Sequence, residues 1–129
     1  MATVFSRIVA GEIPSYKVAE NDKFYAFLDI NPLKKGHTLV IPKQEVDYFF
    51  DLDDQTMGEM MIFAKEVARK IKNVTNCIKV AVVVMGLEVP HAHIHLIPLN
   101  QESDIDFTNV KPRLSQEEFT TIASAILQS

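Results

Sequence analysis

The segment "VPHAHIHLIPL", residues 89–99, alternates imidazole and apolar side chains and holds three of the four histidines in the chain. In an extended strand residues i, i+2 and i+4 line one face, each about 7 Å from the next. His91, His93 and His95 therefore share a face, and Ala92, Ile94 and Leu96 occupy the other, where small and branched apolar groups suit packing against a core. Any fold of this chain must give that strand one structural side and one chemical side.

The remaining pattern supplies the partners. "VFSRIVAGEIPS" reads as a brief helix stopped by a turn at Gly11 and Pro14. "YKVAEN" and "FYAFLDI" read as two strands joined by a tight turn at Asn21 and Asp22, and "HTLVIP" as a third strand after the loop "NPLKKG". Met57, Met60, Met61, Ala64, Val67, Ala68 and Ile71 recur at three- and four-residue intervals, predicting a helix over 54–72 with this stripe in the core. "CIKVAVVVM" is a nearly continuous β-branched run, expected to be a strand buried on both sides or central in a sheet. The histidine strand follows, connected by "GLEVP". Residues 100–113 are polar and irregular. Ser115 and Glu118 then have capping-box spacing ahead of a helix over 116–127, with Phe119, Ile122, Ala123, Ile126 and Leu127 on its apolar side. Five strands and one long helix outside any βαβ rhythm predict an α+β fold, a mainly antiparallel sheet with a long helix and a C-terminal helix. Neither a repeat nor a linker divides the chain, so one domain over 1–129 is expected.

With 129 residues the chain can bury roughly two-thirds of its unfolded surface without a covalent staple. A single cysteine, Cys77, excludes an internal disulfide framework and a Cys-rich metal site, and reads as a small hydrophobe. A formal charge of −4 gives no general attraction to nucleic acid or to an anionic membrane, but leaves room for a small phosphorylated ligand. The start, "MATVFSRIVAGEIP", lacks a basic segment followed by an apolar run, and no apolar stretch approaches the roughly 20 residues of a membrane span. The default expectation is a cytoplasmic protein.

The residues alone leave three readings of the histidines open. They could decorate the solvated face of an edge strand. Two of them could ligate zinc with help from elsewhere, although the first and third, about 13–14 Å apart on a flat strand, are badly placed to share one ion. Or one could be a nucleophile: a neutral imidazole attacks phosphorus without prior proton removal if its other nitrogen donates to an acceptor that fixes the tautomer. Neighbouring imidazoles would then stabilise the non-bridging oxygens.

"HAHIHLI" resembles the His-x-His-x-His-x-x signature of the histidine triad (HIT) nucleotide hydrolases and transferases, closest to their histidine triad nucleotide-binding branch. "FSRIVAGEIPSYKV", "FYAFLDINPLKKGHTLVIPK" and "VPHAHIHLIP" resemble successive blocks of that family over most of residues 4–99. The resemblance implies a HIT-like fold and a homodimer whose two five-stranded sheets join into one, with a purine nucleotide on each subunit. It implies that His93 is the nucleophile, that His95 and His37 surround the phosphate, and that His91 is a structural group of the catalytic set. Asp29 would hold the ribose. Phe5, Ile8, Phe27, Ile30, Leu39 and Val89 would lie near the nucleotide, and Gly86 matches a glycine of the phosphate-contacting loop.

Two departures from the family stand out. Thr3, Ser6 and Glu45 occupy positions where many bacterial relatives carry two cysteines and a histidine of a zinc site, so no metal is expected. "MGLEVP" is shorter in polar residues than the usual loop, and Glu88 stands where a hydroxyl is usual, replacing a donor by a carboxylate near the phosphate. Together these readings predict a cofactor-independent nucleotidyl hydrolase acting on a purine nucleoside phosphoramidate or related phosphoanhydride through a nucleotidyl-histidine, with Glu88 near the leaving group or the water. A nucleotide-binding module with weak activity and a dinucleoside polyphosphate hydrolase are the alternatives.

Overall fold

The computed structural model describes residues 2–129. Thr3 caps a short helix, α1 (Val4–Val9), by accepting from the Ser6 amide. The hairpin β1 (Lys17–Glu20) and β2 (Phe24–Leu28) turns at Asn21, whose side chain accepts from the Lys23 and Phe24 amides. β3 (Thr38–Pro42) follows. A one-turn 3₁₀ segment (Phe49–Asp51) leads into α2 (Asp54–Thr75), capped by Asp53 and closed by Asn76 in the left-handed region. β4 (Lys79–Val83), β5 (Ile94–Leu99), a second 3₁₀ segment (Glu102–Ile105) and α3 (Gln116–Gln128) complete the chain. The Ser115–Glu118 capping box forms in both directions at the start of α3.

The five strands form one sheet in the order β1-β2-β3-β5-β4, with every neighbouring pair antiparallel. Strict alternation sorts the side chains of β2, β3 and β5 between two clusters. Phe24, Ala26, Leu28, Val40, Ile94 and Leu96 face α2 and α3, where they pack with Met60, Ala64, Val67, Ile71, Phe119 and Ile126. Tyr25, Phe27, Leu39 and Ile41 face the opposite way and are covered by Phe5, Ile8 and Val9 of α1 and by Val89. At Gly36 (φ +94°) the chain enters β3 so close to α2 that a Cβ would lie 2.8 Å from the Thr75 methyl.

Three expectations need correction. The "CIKVAVVVM" strand is neither central nor buried on both sides: β4 is an edge strand, with Val82 49 % exposed and Val84, just past its end, 38 % exposed. Its β-branched composition fixed the conformation, whereas its place in the sheet depends on pairing with β5 alone. Met61 and Leu127 point away from the core, because each stripe turns past the contact surface of the sheet. The irregular stretch after β5 holds the turn Glu102–Ile105, organised by Asp104, whose carboxylate accepts from the Asn100 and Gln101 amides and pairs with Lys34.

Candidate functional site

Regular pairing of β5 begins at Ile94, so His91 and His93 sit on an extended lead-in and only His95 is a ladder residue, opposite Leu39 on one side and Val83 on the other. The period-two arrangement nevertheless holds. Ala92, Ile94 and Leu96 enter the helix-side core, while Phe5 of α1 meets the rings of His91 and His93 edge-on at 5.7 and 5.1 Å. All four histidines are at most 8 % exposed. β5 lies between β3 and β4, which removes the reading of solvated groups on an edge strand.

The hydrogen bonds assign the tautomer of each ring, since a carbonyl or an amide N–H can play only one part. His37 Nδ1 accepts from the Leu33 amide at 3.0 Å, so its hydrogen is on Nε2, which donates to His95 Nδ1 at 2.9 Å. His95 therefore carries its own hydrogen on Nε2. His93 Nδ1 donates to the His91 carbonyl at 2.7 Å, leaving a lone pair on Nε2. His91 Nε2 donates to the Pro42 carbonyl at 2.8 Å, and its Nδ1 accepts from the Thr3 hydroxyl at 2.7 Å.

Burial favours the neutral form of His37, His95 and His91. It pushes His37 down to about 4, against the attraction of Asp29 and with a smaller push from Lys111. Burial again, followed by repulsion from His37 and His93, brings His95 to about 3. His91 is lowered by burial too, in part offset by its bond to Pro42 and by the Glu45 charge. Among the described residues the His93 Nε2 lone pair is unshared, and the neighbouring ring of His95, with ring centroids 5.0 Å apart, offers an N–H.

Asp29 joins the array from the end of β2. One carboxylate oxygen accepts from the Asn31 amide at 2.8 Å, and the other lies 3.6 Å from His37 Nε2. The ligand atoms of Asp29, His37 and His95 fall within 4.8 Å of one another, a spacing that a cation could use. The donor chemistry does not fit: the lone pair of His37 is engaged by Leu33, and its Nε2 presents a hydrogen. Thr3, Ser6 and Glu45 also come together. Glu45 accepts from the Thr3 amide and the Ser6 hydroxyl, which hold its pKa low, and Thr3 fills the lone pair of His91. That cluster is a closed hydrogen-bond set of two hydroxyls, a carboxylate and an imidazole.

Phe5, Ile8, Phe27, Leu39 and Val89 form the apolar bed beside the histidines. Gly86 (φ +70°) passes with its open side toward His93, where a Cβ would lie 3.9 Å from Cε1. His93 also borders a cavity of about 470 Å³ between the 47–50 turn and the 84–90 loop. A larger hollow of about 650 Å³, bordered by Leu33, Thr75, Cys77, Pro98 and Ile122, contains none of the histidines. Two expected site residues stand apart from the bed: Ile30 is 69 % exposed, and Glu88 is exposed and makes no hydrogen bond among the described residues. One neighbour was missed. Phe107 meets the ring of His95 edge-on at 5.3 Å and that of His37 at 6.4 Å. It is the single aromatic from residue 100 to 118, in a stretch with few apolar residues, which is the signal that could have found it.

Three alternate histidines on an antiparallel α+β sheet define the histidine triad class of site. Residues 10–102 match the HIT domain family, and the chain belongs to it. An uncharacterized HIT-like protein of Borreliella burgdorferi is 34 % identical over 131 residues, covering 95 % of this chain and 94 % of that protein. The adenosine 5′-monophosphoramidase HNT1 of Saccharomyces cerevisiae is 39 % identical over 102 residues, covering 78 % of this chain and 65 % of the yeast protein. The crystal structure of a hypothetical histidine triad nucleotide-binding protein from Sulfolobus tokodaii superposes with a TM-score of 0.84 at 28 % identity, over 96 % of this chain and 89 % of that one. Among the described residues no helix is long and apolar enough to cross a membrane.

Proposed function

We propose that the chain, as one HIT domain, hydrolyses a purine nucleoside phosphoramidate or a related phosphoanhydride through a nucleotidyl-His93 intermediate. The observation that carries this reading is the Nδ1–H bond from His93 to the His91 carbonyl, which leaves the Nε2 lone pair, unshared among the described residues, beside an N–H of His95. In the first step Nε2 bonds to the α-phosphorus, and the bond from phosphorus to the leaving nitrogen or oxygen breaks with its electron pair. His95 donates to a non-bridging oxygen as charge develops there, with His37 holding its ring. Water then attacks the same phosphorus, releases the 5′-monophosphate and restores His93. Asp29 positions the ribose, the bed of Phe5, Ile8, Phe27 and Leu39 receives the base, and Ile30 and Val89 flank it. Glu88, on the loop that carries Gly86 past His93, exchanges a proton with the leaving group or the water.

The yeast relative supports the phosphoramidate as substrate class. Turnover of adenosine 5′-phosphoramidate tests the reading. Binding without turnover favours the nucleotide-binding module, for which the substitution of a hydroxyl by Glu88 speaks. Faster cleavage of dinucleoside polyphosphates favours the third alternative. We also infer a cytoplasmic homodimer. The edge position of β4, its exposed Val82 and the exposed Val84 just past its end support the second copy, and sedimentation showing only monomer at micromolar concentration would remove it.

A further inference from the structure

We propose that Thr3 is a positioning residue for the nucleophile: its hydroxyl locks the ring of His91, and through the His91 carbonyl it sets the direction in which His93 Nε2 points. The inference rests on the assignment of His93 as the nucleophile and extends it to a residue 88 positions away from the ring it holds.

The argument starts from a ring with no freedom to choose. His91 is fully buried and both of its nitrogens need partners. Nε2 faces the Pro42 carbonyl, which can only accept, so the hydrogen belongs there and Nδ1 must find a donor. The Thr3 hydroxyl, at 2.7 Å, is that donor. Its remaining valences are arranged to keep it so. Thr3 Oγ1 accepts the Ser6 amide as the cap of α1, and Ser6 gives its own hydroxyl hydrogen to Glu45, which also takes the Thr3 amide at 3.0 Å. The one hydrogen of Thr3 has two acceptors within reach, the Ser6 hydroxyl oxygen at 3.2 Å and His91 Nδ1 at 2.7 Å, and the shorter contact, to a lone pair that needs a donor, takes it.

On the other side, the backbone around His91 is tied as well. The His91 amide donates to the Val89 carbonyl and the Ala92 amide to Val46, so a ring fixed at both nitrogens and a main chain fixed at both amides orient one carbonyl. That carbonyl accepts from His93 Nδ1 at 2.7 Å. Removing the hydroxyl leaves a buried lone pair that no change of tautomer can satisfy, because Pro42 still requires Nε2–H. The ring must turn, and the carbonyl that aims His93 moves with it.

Thr3→Val keeps the shape and removes the donor, but it also removes the cap of α1, on which Phe5 sits. Thr3→Ser keeps both functions. With adenosine 5′-phosphoramidate, Thr3→Val is expected to lower kcat by ~10- to 100-fold, the scale of a misplaced reacting group, with the Kd for AMP changed less than threefold. Thr3→Ser is expected to restore kcat to within about threefold of the wild type, since it supplies the same donor hydrogen. Nitrogen-15 spectra of the nucleotide-free wild type should show His91 with hydrogen on Nε2 and a hydrogen-bonded Nδ1, and His93 with a slowly exchanging Nδ1–H that Thr3→Val makes fast. Wild-type spectra with hydrogen on His91 Nδ1 overturn the proposal even if Thr3→Val does not fold. So does an unchanged kcat in Thr3→Val, or a Thr3→Ser variant no better than it. Because the spectra need no substrate, a wild type without turnover refutes the hydrolase reading while leaving the His91 lock to be judged on its own.

Discussion

His37 Nε2 donates to His95 Nδ1 across 2.9 Å, and because His37 Nδ1 is filled by the Leu33 amide, the hydrogen can lie only on that side of the bond. A backbone amide in the loop before β3 therefore decides that His95 faces the site as a donor. The two rings act as one unit. Substitution of either by alanine is expected to slow turnover about 100-fold, corresponding to about 3 kcal/mol for one lost donor to developing charge. The double variant should lose much less than the sum, since each single change already breaks the same chain. A double-mutant cycle on kcat/KM measures this, and strict additivity would show that the rings act separately.

The same burial sets a pH dependence of stability. Both rings titrate near 6.5 when unfolded, and the fold brings His37 to about 4 and His95 to about 3. The unfolded chain thus binds more protons than the native one between those values, so stability rises with pH there. The contribution is fully present above pH ~6.5 and is lost on acidification through about 6.5 toward the folded values, at up to about 1.4 kcal/mol per unit for each ring. Urea unfolding between pH 7 and 4 should show a steeper loss for the wild type than for His95→Gln. Parallel curves would mean that His95 is not held neutral by the fold.

Much of this site is legible in the sequence, for definite reasons. A period of two leaves one register in which Ala92, Ile94 and Leu96 reach the core, and that register places the histidines on the other face. The three- and four-residue spacing from Met57 to Ile71 and the Ser115–Glu118 pair are local signals of the same kind. What escaped depends on contacts between distant parts of the chain. Nothing in "CIKVAVVVM" says that β4 will pair on one side only. The carbonyls of Pro42 and His91, which fix two of the tautomers, belong to the backbone and carry no residue-type signal. Phe107 sits where no periodicity exists, and Thr3 meets His91 only because α1 folds over the sheet.

Phe107 should matter through desolvation. Its edge contacts with His95 and His37 help to exclude water from both rings. Phe107→Ala is expected to raise both imidazole pKa values toward 6.5, because hydration favours the charged form. NMR titration reads the change directly. Unaltered titrations would assign the dryness of the site to Phe5, Phe27 and Leu39 instead.

Glu88 offers a test of proton transfer. If it serves the leaving group, Glu88→Gln should slow release of a basic amine roughly 100-fold, within the usual range for one acid or base, and release of an acidic alcohol far less. The ratio of rates for two such leaving groups is the measurement, and equal slowing of both would place Glu88 outside the proton path.

The strongest expectation concerns His93. Among the described residues its Nε2 is the one triad lone pair that no protein group takes up, since His91 Nδ1 is filled by Thr3 and His95 Nδ1 by His37. His91 and His95 therefore cannot replace it. His93→Ala should lose turnover by several powers of ten, as expected when the attacking atom itself is removed, yet bind AMP with nearly unchanged affinity, because the proposed ribose and base contacts are on Asp29 and on the bed around Phe5 and Phe27. His91→Ala should act instead through stability and alignment, with lowered Tm and a partial loss of rate. Acid-free quenching of wild-type protein with substrate labelled at the α-phosphorus, followed by peptide mapping, locates the covalent intermediate. Label on His93 is expected. Label on His91 or His95, or near-normal turnover by His93→Ala, would mean that the tautomers assigned to this strand are wrong.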